Sequence, residues 1–347
     1  MDFITIIIII VSIVFIGYII SQITFRNNCV SANNKALQNS LEKLSTNRLR
    51  SLQDDSFRLR DYYVMSSFNS CCGGNFVNDC VDTKPVRLLV ENGVRFLDFE
   101  IYSIDNVPVV AASDSGYFTY KSTNNSVTFD SVMRTIRDLT GLSVDPLFLH
   151  FRIHTNNTTV INEMHRIIEQ HISNRLYRSS TVQNTENFGN TRMSELRNRI
   201  IIMCEKNTSI PSSKMHMITN IYTGNNIYQL LRFFDVQNTP SQEQLIELNR
   251  LNTTIVIPDK NEFARNFNSD VAFDSGCQFI CMNYQYVNTN LINYVKRFDA
   301  NRSSFIVKPE KLRYIEQPIE KPQEQKPEVG LSNVQTTEIP GGTIQIG

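Results

Sequence analysis

The chain contains no tryptophan, no paired C-x-x-C motif and no excess charge of either sign. Thirty-four basic residues balance 34 acidic ones across 347 residues. A protein held on nucleic acid by counterion release needs a basic surface, so this balance excludes nucleic acid from the expected partners. Seven cysteines scattered through so long a chain fit neither a small disulfide-framed domain nor a zinc module. They read as buried or free thiols, although Cys71, Cys72 and Cys80 lie close enough for one pair to close a small loop. What is present is a 41% hydrophobic chain, able to bury a full-sized core as one large domain with appendages.

Charge is also missing from the first stretch. Phe3 to Ile23 is almost unbroken apolar sequence, interrupted only by Thr5, Ser12, Ser21 and Gln22. About 20 such residues, at 1.5 Å each, cross a ~30 Å hydrocarbon layer. A cleaved signal peptide has a basic start and a shorter apolar core. Here Asp2 precedes the run and no base does, so residues 1–25 are expected to be an uncleaved single-pass anchor, with the lipid bilayer as a partner. Arg26, Lys35, Lys43, Arg48 and Arg50 come after it, and this bias favours a cytoplasmic location for the domain beyond. Glycosylation-type triplets beginning at Asn157, Asn207 and Asn252 point the other way, but they arise easily in an asparagine-rich chain.

Residues 26–56 are polar, with Leu37, Leu41, Leu44, Leu49 and Leu52. The first three are spaced like a heptad and the next step of five breaks the pattern. This predicts a short helical stalk holding the next domain off the bilayer. From Tyr62 to about Tyr314 strand-like and helix-like segments alternate. Strands are expected at Tyr62 to Ser66, Val94 to Ile101, Val107 to Ala111, Leu147 to Ile153, Arg199 to Cys204 and Cys277 to Asn283. Helices are expected at Thr128 to Leu139 and Thr158 to Ile172. Such alternation over some 250 residues indicates an α/β fold, a TIM-type (β/α)8 barrel, over residues 57–315. The segment 316–347 opens EQPIEKPQEQKPEVG, too polar to offset its ordering entropy, and a disordered tail is expected.

Side chains alternate across a strand. Phe96, Asp98 and Glu100 therefore share one face, with both acids near the carboxyl end, where barrel enzymes place their chemistry. Two carboxylates so placed repel one another and call for a cation or an answering base. In LFLHFRIH, His150, Arg152 and His154 share a face. Arg152 is the candidate base, because guanidinium stays charged and matches carboxylates with paired hydrogen bonds.

The stretches DYYVMSSFNS and ENGVRFLDFEIY, with Pro108-Val109-Val110 after them, resemble the opening of the catalytic barrel of eukaryotic-type phosphoinositide-specific phospholipase C. GCQFICMNYQ and FIVKPEKLR resemble its closing strands. The resemblance spans about residues 57–315 and is poor between about 175 and 250. It implies a PLC-like phosphodiesterase barrel acting on phosphatidylinositol lipids with calcium, yet the implied site residues are altered. The family's Ser-Ser-His-Asn run keeps its asparagine as Asn69, while Phe68 takes the histidine position. Its Glu-x-Asp pair becomes Asp98 and Glu100. The second histidine position is Ala112, and a further calcium-binding glutamate position is Arg152. An Arg-x-Tyr pair that contacts the inositol ring becomes Ile255 and Ile257. The implied reading is a pseudoenzyme without calcium or another cofactor: a binding or structural protein recognising a phosphoinositide, a glycan or a protein at the barrel mouth. The alternative is a repurposed metal-independent phosphodiesterase in which Arg152 replaces calcium and His150 or His154 supplies the acid or base. The asparagine bias and apolar anchor would also suit a component of a large DNA virus envelope.

Overall fold

A computed structural model describes residues 3–44, 51–52, 54–114, 120–139, 141, 143–178, 187–315, 335–340 and 342–346. It falls into two compact units, Met1–Tyr314 and Ile315–Gly347.

The chain opens with helix α1 (Phe3–Leu44), 42 residues long. No proline and only one glycine, Gly17, interrupt this stretch, so nothing stops the helix where its composition changes. Phe3–Phe25 is long and apolar enough to cross a membrane and none of it is buried. The second half behaves differently. Cys29, Asn34, Leu37, Leu41 and Leu44 are buried, and the three leucines join the core of the barrel. The expected free stalk is therefore corrected: the leucine stripe faces the barrel itself and does not hold it at a distance. Leu49 lies outside the described residues, and Leu52 is again part of the core.

The barrel strands and their flanking elements come after α1. They are β1 (Tyr62–Ser67), α2 (Lys84–Glu91), β2 (Phe96–Ile104), β3 (Val107–Ala111), β4 (Val127–Thr128), α3 (Phe129–Leu139), β5 (Leu147–Ile153), α4 (Thr158–Ile172), α5 (Met193–Leu196), β6 (Ile200–Glu205), β7 (Ile221–Thr223) and β8 (Tyr228–Arg232). The chain continues through α6 (Phe233–Gln237), α7 (Gln242–Leu251), β9 (Thr253–Ile257), α8 (Asp270–Asp274), β10 (Phe279–Met282), α9 (Thr289–Asn301) and β11 (Phe305–Val307). Eight parallel strands run in the order β7-β6-β5-β2-β1-β10-β9-β8, a nearly closed barrel. β3 folds back antiparallel on β2, and β11 pairs antiparallel with β1.

Register sets which side chains enter the barrel. Phe96 pairs with Phe148 and Glu100 with Arg152; Phe148 pairs with Ile201, and β8 aligns Arg232 with Ile257. With a side-chain period of two, the lower interior is aromatic: Phe279 packs against Phe96 and Phe148 at centroid distances of 4.8 and 5.2 Å. The inward positions at the carboxyl ends are Glu100, Arg152, Glu205, Arg232 and Ile257, and all of them line one cleft. Outward positions such as Phe99 and Phe151 pack under amphipathic helices, with Phe129 of α3 edge-on to Phe151 at 5.4 Å.

The tail expectation is also corrected in part. Residues 316–334 lie outside the described residues, but β12 (Gln335–Ile339) and β13 (Gly342–Ile346) form an antiparallel hairpin. The proline- and glutamate-rich composition ends before residue 335, and the last segment reads QTTEI-PGG-TIQI, strand formers around a proline–glycine turn.

Candidate site at the barrel mouth

β1 ends at Ser67, and the chain turns sharply at Asn69, whose φ is +42°. Asparagine tolerates this left-handed conformation better than most residues, and the turn brings its amide over the strand ends. β2 contributes Asp98 and Glu100, β5 contributes His150 and Arg152, and His154 lies one residue past β5.

Arg152 is the centre of the site. It is 4% exposed, and Asp98 is fully buried. Arg152 Nε donates to Asp98 Oδ1 at 3.0 Å and Nη2 to Asp98 Oδ2 at 2.7 Å, a bidentate pair. Nη1 donates to Glu100 Oε1 at 2.7 Å, and Nη2 also donates to Asn69 Oδ1 at 2.7 Å. Phe68 lies under the guanidinium, its ring centroid 4.6 Å from Cζ.

The remaining donors complete the set. His150 Nδ1 is 2.8 Å from Asp98 Oδ1, and Asn69 N donates to Asp98 Oδ2 at 3.2 Å. Asn69 Nδ2 donates to Glu100 Oε1 at 3.3 Å, while the Tyr102 hydroxyl and Ser113 N donate to Glu100 Oε2 at 2.6 and 2.9 Å. Each of the four carboxylate oxygens thus accepts two donors. Burial pushes the Asp98 carboxyl toward its neutral form, but the Arg152 charge and the His150 hydrogen bond outweigh it and hold the group well below the usual carboxylate range. Burial likewise opposes charge on Arg152, and Asp98 and Glu100 overcome it, leaving the guanidinium firmly protonated.

This donor set does not fit calcium. A calcium ion takes six to eight oxygens with lone pairs to offer. Here the oxygens of Asp98 and Glu100 and Oδ1 of Asn69 are already committed to protein donors, and a fixed positive charge stands among them.

Phe68 lines the cleft, while Ala112 is buried just beyond β3, beside Ser113. Ile257 lines the cleft as well, and Ile255 lies one layer deeper. The two candidate histidines part company. His150 is fully buried between Asp98 and Thr223, its Nε2 2.9 Å from the threonine hydroxyl, and it does not reach the cleft. His154 lines the cleft, stacks on Tyr102 at 4.9 Å and stands 4.0 Å from Glu100 Oε2. Burial lowers its pKa, and Glu100 only partly offsets this.

The cleft has a volume of about 190 Å³. It includes groups that the sequence did not single out: Glu205, Arg232, Asp259 and Lys260. Glu205 is the next inward position after Ile201 and Met203, one residue beyond the expected end of its strand. Alternation continued by one step finds it. Arg232 closes a strand that no clear pattern announced.

The cysteines also depart from expectation. Cys71 and Cys72 are buried free thiols, whereas Cys80 is bonded to Cys29 of α1. Burial drives the Cys71 and Cys72 pKa values up, which makes these thiols inert.

Residues 56–206 match the family model described as phosphatidylinositol-specific phospholipase C, X domain. Among solved structures, PLC21 of S. officinalis superposes with a TM-score of 0.64 at 14% identity, covering 76% of this chain. PLC21 of L. pealei gives 0.63 at 15% identity over 75% of this chain. This chain spans 38% of the length of each. No curated protein sequence matches it. The fold is that of a phospholipase C-like phosphodiesterase barrel.

Proposed function

We propose that this chain is a membrane-anchored, phospholipase C-like barrel that has given up hydrolysis and acts by binding a ligand at its mouth. The observation that carries this reading is Arg152, which fills the place between Asn69, Asp98 and Glu100 with four hydrogen bonds. Acid–base cleavage of a phosphodiester needs groups that exchange protons near neutral pH. Phe68 and Ala112 cannot do so, and the acids beside them are saturated. What remains is a polar cleft with three acids, two arginines, a lysine, a histidine and aromatic walls, suited to holding a headgroup, a sugar or a peptide side chain. The apolar, unburied Phe3–Phe25 segment supports the anchor.

One observation favours a second reading, a metal-independent phosphodiesterase. His154 is a titratable group facing the cleft beside Arg152. The test is an assay of the full chain in lipid against phosphatidylinositol, with and without calcium. Leu37, Leu41, Leu44 and Leu52 belong to the core, so a barrel cut at residue 55 is not a suitable reagent. No turnover in either condition is expected. Calcium-dependent turnover would overturn both readings. Calcium-independent turnover abolished by His154→Ala would establish the second.

For the side of the membrane, Arg26, Lys35 and Lys43 favour the cytoplasm, while the Cys29–Cys80 bond favours an oxidising compartment. We place the barrel on the oxidising side, because the bond is a specific contact and the charge bias is a tendency. The glycosylation-type positions decide little, since the Asn157 and Asn207 amides are engaged in donating to Asn106 Oδ1 and to the Ile153 and Thr155 carbonyls.

A further inference from the structure

The loop after β1 that carries Asn69 also receives the anchor helix. Cys29 is bonded to Cys80, with a Cα–Cα distance of 6.1 Å. One turn further along α1, Asn33 Nδ2 donates to Asp79 Oδ1 and Asn34 Nδ2 to Asp82 Oδ2, both at 2.6 Å. The approach is close enough to need glycine. A Cβ on Gly73 would stand 3.0 Å from the Asn33 Cβ, and one on Gly74 would stand 2.2 Å from Asp79 Oδ2 and 2.8 Å from Asn33 Nδ2.

Contacts at both ends of the barrel fix the direction of α1. Loop 68–83 lies at the carboxyl end of the barrel, because it leaves β1 there and contributes Phe68 and Phe76 to the cleft. Leu37, Leu41 and Leu44 then pack along the barrel wall, and Leu52 N donates to Asp145 Oδ1, just before β5 begins at the opposite end. So α1 runs from mouth to base. Its apolar part leaves the barrel at the mouth, and Phe25 precedes Cys29 by four residues, about 6 Å of helix.

Exposed apolar side chains stand at the same end. Val107 is at the tip of the β2–β3 hairpin, Phe234 lies just past β8, Phe263 past β9, and Tyr286 and Val287 past β10. Their exposures run from 38% to 63%.

We propose that the docked half of α1 clamps the barrel with its mouth facing the bilayer that the other half crosses, so that this rim rests on the headgroup layer and the cleft opens onto lipid of the same membrane. The occupant of the rim is that bilayer. The geometry of α1 selects it, because the apolar helix projects from the rim and not from the base. The inference rests on the reading of Phe3–Phe25 as a span, and the clamp adds orientation to it: without the clamp a flexible tether would leave every face of the barrel equally free.

The test uses the full chain in phosphatidylcholine vesicles that carry a headgroup-attached quencher, with a fluorophore on Phe263→Cys, Tyr286→Cys or, at the base, Val144→Cys. The five free cysteines are buried, so the label goes to the introduced thiol. Co-flotation with the vesicles reports the span by itself; if it fails, the span and this proposal fall together. With flotation intact, quenching at 263 and 286 is expected to exceed that at 144 several-fold. Equal quenching at all three, or stronger quenching at 144, overturns the orientation while leaving the span standing. Inserting a flexible glycine–serine segment between Phe25 and Cys29, which uncouples the span from the docked half of α1 and keeps the Cys29–Cys80 bond, should bring the three values together. A difference that survives this release would show that α1 docking is not what orients the barrel.

Discussion

The mouth and the base of the barrel each bury a cation, and they do so in opposite ways. At the mouth, Arg152 faces two carboxylates and an amide oxygen and keeps its charge. At the base, Lys308 is 1% exposed, donates to the Asn249 carbonyl at 3.0 Å and sits 5.9 Å from the Tyr63 ring centroid. No carboxylate pairs with it there among the described residues. Burial pulls its pKa down to about 7. The difference lies in the residue types. Guanidinium cannot shed its proton at ordinary pH, so it must be answered by acids, whereas a lysine can surrender its charge when desolvated. The base thus tolerates a lone basic group, and the mouth is a network in which every member needs the others.

The largest expected effect breaks the mouth. Arg152→Ala leaves Asp98 and Glu100 buried without their cation and should cost about 3–5 kcal/mol of stability, measured by chemical unfolding of the full chain. Adding Asp98→Asn and Glu100→Gln to it should recover much of that loss. Calcium should leave the melting temperature of the native chain unchanged and raise that of Arg152→Ala. A calcium shift in the native chain would contradict the poor fit of that ion to these donors.

Next comes the bond that secures the mouth loop. Cys80→Ser opens a cross-link spanning 51 residues and should cost about 2–4 kcal/mol. Peptide mapping after alkylation, without reductant, should recover Cys29 joined to Cys80 from membranes. Two free thiols would instead favour the cytoplasmic side indicated by the charges.

A smaller effect is expected of Tyr102→Phe, which removes the 2.6 Å donor to Glu100 Oε2. One under-satisfied buried carboxylate oxygen should cost about 1–3 kcal/mol. The same substitution keeps the ring that stacks on His154 but frees Glu100 Oε2, which stands 4.0 Å from His154 Nε2, and should therefore alter the His154 titration, read by NMR.

The mildest prediction concerns the base. Lys308 has a folded pKa near 7, below its ordinary 10.5, so above pH 7 the unfolded chain binds more protons than the folded one. Its contribution therefore makes stability rise with pH between 7 and 10.5 and is most unfavourable below 7. Lys308→Met should remove this slope. Unfolded thiols begin to lose protons in the same range, but they do so in both proteins, so the difference between the two slopes isolates Lys308. Identical slopes in the two proteins would mean that Lys308 keeps its charge, and the contrast with Arg152 would collapse.

Much of this was legible along the chain. The strand Leu147–Ile153 and the helix Thr158–Ile172 carry such clear periodicity that both bounds agree with the structure. Alternation alone put Asp98 and Glu100 on one face of their strand, and His150 and Arg152 on one face of theirs. Legibility failed where elements are short and half-buried. β7 has three residues, and every residue of β8 is only partly covered, so neither carries a strong pattern, and Arg232 at the end of β8 escaped notice. The leucine stripe of the stalk was visible, but its partner was not. Periodicity says that a face is buried without saying what buries it.

Sequence by itself determined the alternating strand–helix order and the apolar first segment, because each of these is a property of local composition and spacing. Tertiary structure alone decided that one guanidinium would saturate two acids, that Cys29 would meet Cys80, and that the second half of α1 would run down the barrel from its mouth. Those outcomes depend on strand register and on the docking of segments far apart in the chain, and the energy of such contacts exists only once the chain has closed around them.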